Sequence, residues 1–128
     1  MASPLVLSYN LRGFEAAALA HLCKEQDIRL REVSPQEYAL PVGALAGIPV
    51  ASSAPSPSAE PFEEPMLVIC HMLSDQLDAF LKGIRAPGMP RIALKAVLTP
   101  NNVAWDSRKL HDELAREHAA MRRPQSNQ

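Results

Sequence analysis

Two pairs of polar or reactive residues close the two most apolar runs of this chain. Tyr9-Asn10 follows Leu5-Val6-Leu7-Ser8, and Cys70-His71 follows Met66-Leu67-Val68-Ile69. In a covered sheet built from strand-helix units, ligands settle beyond the carboxyl ends of the inner strands, where the chain turns into helix N-termini. Parallel pairing of the two runs would place Tyr9, Asn10, Cys70 and His71 around one cleft. A second polar set, Lys95, Thr99 and Asn102, precedes the single tryptophan, Trp105, and could hold an anion or a carbonyl against the indole.

Each group also has a purely structural reading. Tyr9 and Cys70 can serve as packing residues while Asn10 and His71 open their loops. Thr99 and Asn102 can cap the turn after a strand, with Trp105 closing the core and Lys95 a solvated edge residue. The structural reading is preferred for Tyr9, Asn10, Cys70, His71, Thr99 and Trp105, and both readings stay open for Lys95 and Asn102. The candidate ligand-binding set is therefore Tyr9, Asn10, Cys70, His71, Lys95, Thr99 and Asn102, with no catalytic residue, metal or cofactor assigned.

Reaction chemistry finds little support. Cys70 and His71 are adjacent, and neighbours on a strand point to opposite faces, so they do not form a nucleophile-base pair. His111 and His118 share a helix face but lie about 10 Å apart along it, too far to clamp one ion without further ligands. Neither inner strand is followed by a glycine-rich phosphate loop, because Gly13 stands alone and Leu73-Ser74-Asp75 contains no glycine.

The elements that must position these residues read as strand, helix, strand, capped turn, stated twice. Leu5 to Leu7 and Met66 to Cys70 are unbroken apolar runs, the mark of strands covered on both faces. Ile28 to Val33 and Ile92 to Val97 alternate, as strands with one wetter face do. Phe14, Ala18, Leu19, Leu22 and Cys23 form one helical face, and Leu73, Leu77, Phe80, Leu81 and Ile84 another, with Ser74 as its N-cap. Ser34-Pro35-Gln36-Glu37 is a capping box with proline at the first helical position. Pro41 then ends that helix near Leu40 or opens a second short one closing at Gly47. Asp106 caps a terminal helix with Leu110, Leu114 and Met121 on its face, running to His118 or Met121.

The expected layout is one domain over 1–128: a first copy at 1–48, a flexible Pro/Ser/Ala linker at 49–65, a second copy at 66–121 and a tail at 122–128. Phe62 is the one large apolar side chain besides Val50 in the linker, and local docking is expected for it. The fold class is α/β, a four-stranded, mainly parallel sheet of order 2-1-3-4 covered by helices, with a ferredoxin-like α+β arrangement as the alternative.

At 128 residues with 47% hydrophobic composition, the chain suffices for one core. Its net charge of -1 supplies no general field for nucleic acid, and the basic residues near the C-terminus are interrupted by Asp112, Glu113 and Glu117. No run approaches the ~18 apolar residues of a membrane span. Cys23 and Cys70, without a CxxC pairing or a signal segment, fit reduced thiols in a cytoplasmic protein.

The second half carries a resemblance. Met66-Leu67-Val68-Ile69-Cys70, Ser74-Asp75-Gln76-Leu77-Asp78, Leu94-Lys95-Ala96-Val97-Leu98-Thr99-Pro100, Asn102, Trp105, Glu113-Leu114 and Glu117-His118 together resemble a small bacterial domain family of unknown function. The likeness runs from about Met66 to His118, with a weaker echo in Tyr9-Asn10 and Ser34-Pro35-Gln36-Glu37-Tyr38. Where the family pattern has glycine after its first strand, this chain has His71. Members sometimes bear the label amidophosphoribosyltransferase. The residues do not support that activity, since the chain has neither an acidic pair feeding a pyrophosphate loop nor an N-terminal nucleophilic cysteine. The expected function is a non-enzymatic regulatory or binding domain, using the cleft between copies or a sheet edge. The alternative is a small enzyme or phosphate-ligand binder. The partner is a small molecule or a protein, with a homodimer through an edge strand at Ile28 or Ile92 as one form, and neither nucleic acid nor membrane is expected.

Overall fold

Leu5–Tyr9 (β1) and Met66–Cys70 (β3) are buried at every residue, as their unbroken apolar composition requires, and they are the inner strands of a four-stranded sheet of order β2-β1-β3-β4. Arg29–Glu32 (β2) and Leu94–Val97 (β4) are the edges, and both are largely solvent-accessible. The computed structural model describes residues 3–48, 62–89 and 91–122, so most of the expected linker, at 49–61, and the tail beyond 122 lie outside the described residues.

Order follows expectation and direction does not. β1 pairs with β2 in parallel and β3 with β4 in parallel, but β1 and β3 run antiparallel, with Leu5 opposite Cys70 and Tyr9 opposite Met66. The sheet is mixed rather than mainly parallel. Helices cover both faces, which leaves no open face of the kind the ferredoxin-like alternative needs. Burial on both faces demands apolar side chains whichever way a neighbour runs, so the composition of the inner strands could not reveal this reversal.

The two halves follow one element order. Gly13–Glu25 (α1) links β1 to β2, and Ser74–Ile84 (α3) links β3 to β4. These helices lie on one face of the sheet, where Leu19, Leu22, Cys23, Phe80 and Ile84 meet Val6, Leu67 and Ile69. They approach so closely that a Cβ on Gly83 would stand 2.7 Å from Leu22 Cδ1. Phe14 and Leu73, counted on the inward faces from spacing, are instead 74% and 76% exposed, in the first turn of α1 and at the N-cap of α3. Leu73, not Ser74, is the N-cap of α3, and its N–H donates to Gln76 Oε1 at 3.0 Å. At the end of α1, Asp27 takes a left-handed backbone (φ 58°), and the Ile28 N–H closes on the Cys23 carbonyl at 2.8 Å. That Schellman closure ends the helix without glycine.

The opposite face is covered by a 3₁₀ turn (Pro35–Glu37), a short helix Val42–Leu45 (α2) and Ser107–Arg122 (α4). The Ser34 N–H donates to Glu37 Oε1 at 3.1 Å, as the capping signal requires, but the helix it opens is one 3₁₀ turn. Pro41 precedes α2 as its N-cap, so the second of the two expected outcomes at this proline holds. Backbone bonds join α2 to the segment ahead of α4, from Val42 N–H to the Trp105 carbonyl (2.7 Å) and from Gly43 N–H to the Val103 carbonyl (2.9 Å). Asp106 Oδ1 accepts from the Lys109 N–H at 2.7 Å, which confirms the expected cap of α4. Leu110 from this helix, with Tyr38, Val42, Leu45 and Phe62, packs on Leu7, Tyr9, Met66 and Val68 of the sheet.

Candidate functional site

Because β1 and β3 are antiparallel, the carboxyl ends of the two inner strands lie at opposite ends of the sheet. The cleft expected to unite Tyr9 and Asn10 with Cys70 and His71 does not form. There are two crevices instead, each beyond the end of one parallel pair.

The β1–β2 crevice is filled. Tyr9 is fully buried, and its hydroxyl pairs with Ser107 Oγ at 2.7 Å. Burial drives the Tyr9 pKa well above that of a free phenol, a rise the Ser107 bond only partly opposes. Asn10 adopts a left-handed backbone (φ 64°), and its side-chain amide donates to the carbonyls of Phe62 (2.8 Å) and Glu64 (3.1 Å). Phe62, held by this clamp, stacks on Tyr38 at 4.6 Å and on His111 at 4.0 Å between centroids. His111 is buried, with Nε2 3.1 Å from Glu64 Oε1 and Nδ1 3.1 Å from Asp112 Oδ1. The Tyr38 hydroxyl is buried without a hydrogen-bond partner among the described residues. Tyr9 and Asn10 are therefore spent on packing and on anchoring the segment that leads into β3. Sequence reasoning expected Phe62 to dock and missed its role as the centre of an aromatic stack. The signal was its isolation as an aromatic among proline, serine and glutamate.

Among the described residues the β3–β4 crevice is open. His71 occupies the position after β3 that Asn10 occupies after β1, also with a left-handed backbone (φ 62°), the conformation glycine adopts most easily. Its Nε2 lies 3.0 Å from the Ala46 carbonyl. Beside it lies a groove of about 390 Å³ lined by Ile48, His71, Met72, Val97 to Pro100 and Val103. Thr99 is on this wall, so the fold brings His71 and Thr99 to one groove. Cys70 lies behind them in the core, its thiol directed to the Val68 carbonyl at 3.8 Å, and burial pushes its pKa up to about 12. It is not a nucleophile in this state. Cys23, in the other core layer, is raised to about 11 by burial.

Thr99 and Asn102 form a reciprocal cap. The Thr99 N–H donates to Asn102 Oδ1 (2.9 Å), the Asn102 N–H to Thr99 Oγ1 (3.3 Å), and Asn102 Nδ2 to the Val97 carbonyl (3.1 Å). The Asn102 side chain is consumed by the turn that ends β4. Lys95 points elsewhere: its Nζ donates to the Ile92 carbonyl, and it lines a separate cleft with Arg85 and Arg91. The seven candidates thus occupy several unconnected places. Among the described residues no group of three or more His, Cys, Asp or Glu side chains could hold a metal ion, and no helix is long and apolar enough to cross a membrane.

Residues 65–121, which include β3, α3, β4 and nearly all of α4, match the family model of a domain of unknown function, DUF3783. No curated protein and no solved structure matches the chain.

Proposed function

We propose that this protein, with its β3–α3–β4–α4 half in that domain family, is a non-enzymatic binding domain acting through β4 and the groove at its carboxyl end. One observation carries the reading: of two crevices in corresponding places, the first is packed with aromatic side chains and the second is an open, mostly apolar groove beside a sheet edge. Among the described residues the outer side of β4 has no strand neighbour, and Val97 of this strand is 43% exposed. An extended peptide added to such an edge gains main-chain bonds along the strand and places alternate side chains in the adjoining groove. A second copy of the chain could supply that strand as a homodimer.

The small-enzyme alternative needs Asn10, His71, Lys95, Thr99 and Asn102 in one concave site, and they are dispersed. The matching order of elements and the left-handed residues at Asn10 and His71 support two copies of one unit within a single domain. Two buried thiols with no pairing between them support a reducing, cytoplasmic setting, and the family resemblance supports a bacterial one.

A peptide-library screen followed by NMR mapping tests the binding reading. Bound peptides are expected to shift the amides of Val97, Leu98 and Thr99 and to lose affinity in Val97→Asp. A library without binders, in a protein that sediments as a monomer at all concentrations, would end it, as would binders that map to the α1–α3 face.

A further inference from the structure

The loop between α3 and β4 frames the cleft that contains Lys95. Its volume is about 640 Å³, within the range of small-ligand pockets, and it lies at the amino end of β4, away from the groove proposed above. Three cationic side chains, Arg85, Arg91 and Lys95, line it, and no Asp or Glu lines it among the described residues. None of the three makes an ion pair among the described residues, although most other arginines with polar contacts do: Arg31 pairs with Glu37, Arg108 with Asp112 and Arg116 with Glu113. In a chain with 14 acidic residues against 13 Lys and Arg, three cations gathered without a counter-charge call for an account.

Helix polarity explains only one of them. Arg85 is the C-cap of α3, where a cation complements the exposed carbonyl ends. Arg91 and Lys95 lie outside the helix. Partial burial and the charge of Arg85 both lower the pKa of Lys95, so the protein bears an electrostatic cost here that a bound anion would offset. The remaining lining is apolar, with Ile84 and Ile92 buried, Met89 half-buried and Pro87 exposed. Cations around an apolar floor suit a ligand with a multiply charged head and an organic body.

We infer that the cleft of Arg85, Arg91 and Lys95 is a binding site for a small organic phosphate, with the guanidinium and ammonium groups on the phosphoryl oxygens and the organic part against Pro87 and Met89. Guanidinium forks match phosphate oxygens in pairs, and Lys95 adds a point charge.

The test is calorimetric titration of the full chain with pyrophosphate, with ADP and, as a reference for bare anions, with sulfate. The expected result is binding of pyrophosphate or ADP clearly tighter than sulfate, weakened about tenfold or more in Arg85→Gln, Arg91→Gln and Lys95→Met, and unchanged in Arg116→Gln. Arg85 and Arg91 are exposed, so their variants are expected to keep the parent melting temperature and isolate the charge. Tighter binding of ADP than of pyrophosphate identifies an organic phosphate, whereas equal binding reduces the site to one for inorganic polyphosphate and overturns the role given to Pro87 and Met89. Binding no tighter than sulfate, or equal in all four variants, overturns the site altogether.

Discussion

Asn10 and His71 stand one residue beyond the inner strands of their halves, both in left-handed backbone, yet they face opposite surroundings. Asn10 commits its amide to two carbonyls of the incoming chain and thereby seats Phe62 between Tyr38 and His111. His71 holds one carbonyl, that of Ala46, and leaves a groove beside it. The same turn has been used to close one crevice and to frame another. What separates them is the segment from Phe62 to Glu64, which crosses the first crevice on its way into β3 and has no counterpart in the second among the described residues. An unfilled place in a fold that fills its equivalent is where binding is most economically sought.

The widest break in this comparison is alkaline. Tyr9 and Cys70 are the last residues of the two inner strands, both buried, and both carry pKa values above their ordinary 10.0 and 9.0. The folded state therefore holds these protons more tightly than the unfolded chain does. Their contribution to stability is complete below about pH 9 and is lost as pH rises toward 12. Urea denaturation across this range should give constant stability from pH 7 to 9 and a steep decline above it. Cys70→Ala should flatten the start of that decline, and a stability independent of pH up to 11 would contradict the burial of both groups.

Truncation of the aromatic stack comes next. Phe62→Ala should cost about 3 kcal/mol or more, as large-to-small changes in a packed core do, whereas Val97→Ala at the open edge should cost less than about 0.5 kcal/mol. Similar losses at the two positions would erase the distinction between a filled and an open crevice. A smaller contrast lies in the turns themselves. Asn10→Ala removes two hydrogen bonds, one part-buried and one exposed, and strains a left-handed position, an expected loss of about 2 kcal/mol in thermal or urea unfolding. His71→Gly gives up one bond but relieves the backbone, so its stability should stay within about 0.5 kcal/mol of the parent. The smallest effect is the coupling of His111 to Glu64. A double-mutant cycle with His111→Gln and Glu64→Gln should yield under about 1 kcal/mol, because Glu64 is 60% exposed and solvent screens the pair.

Much of this architecture was legible in the residues. Unbroken apolar runs marked β1 and β3 as inner strands, alternation marked β2 and β4 as edges, and Asp27, Pro41 and Asp106 punctuated the helices where expected. The direction of β3 was not legible, because Leu67, Val68 and Ile69 would be buried equally beside a parallel or an antiparallel neighbour. That one unknown decided the candidate site, since reversal of β3 carried Cys70 and His71 to the far end of the sheet from Tyr9 and Asn10. Thr99 and Asn102 were readable as a cap from their spacing alone. Lys95 was readable as a candidate anion ligand, but not its companions in the cleft, Arg85 and Arg91, which the strand pattern placed in a connecting loop without a common focus. The spacing of His111 and His118 argues against a metal pair but does not reveal the stacking of His111, which depends on Phe62, a residue distant in sequence.

The antiparallel seam between β1 and β3 also bears on how the chain reaches this structure. Leu5 pairs with Arg29 on one side and with Cys70 on the other, so each parallel pair is closed by a short connection through its own helix, while the seam joins strands far apart in the chain. The entropy of loop closure grows with that separation, and pairings of long range dominate folding rates. Neither half covers its inner strand alone, because β1 and β3 are each other's neighbours. Folding is therefore expected to be limited by the seam, and the pairing of Tyr9 with Met66 to be accompanied by the closing of both core layers.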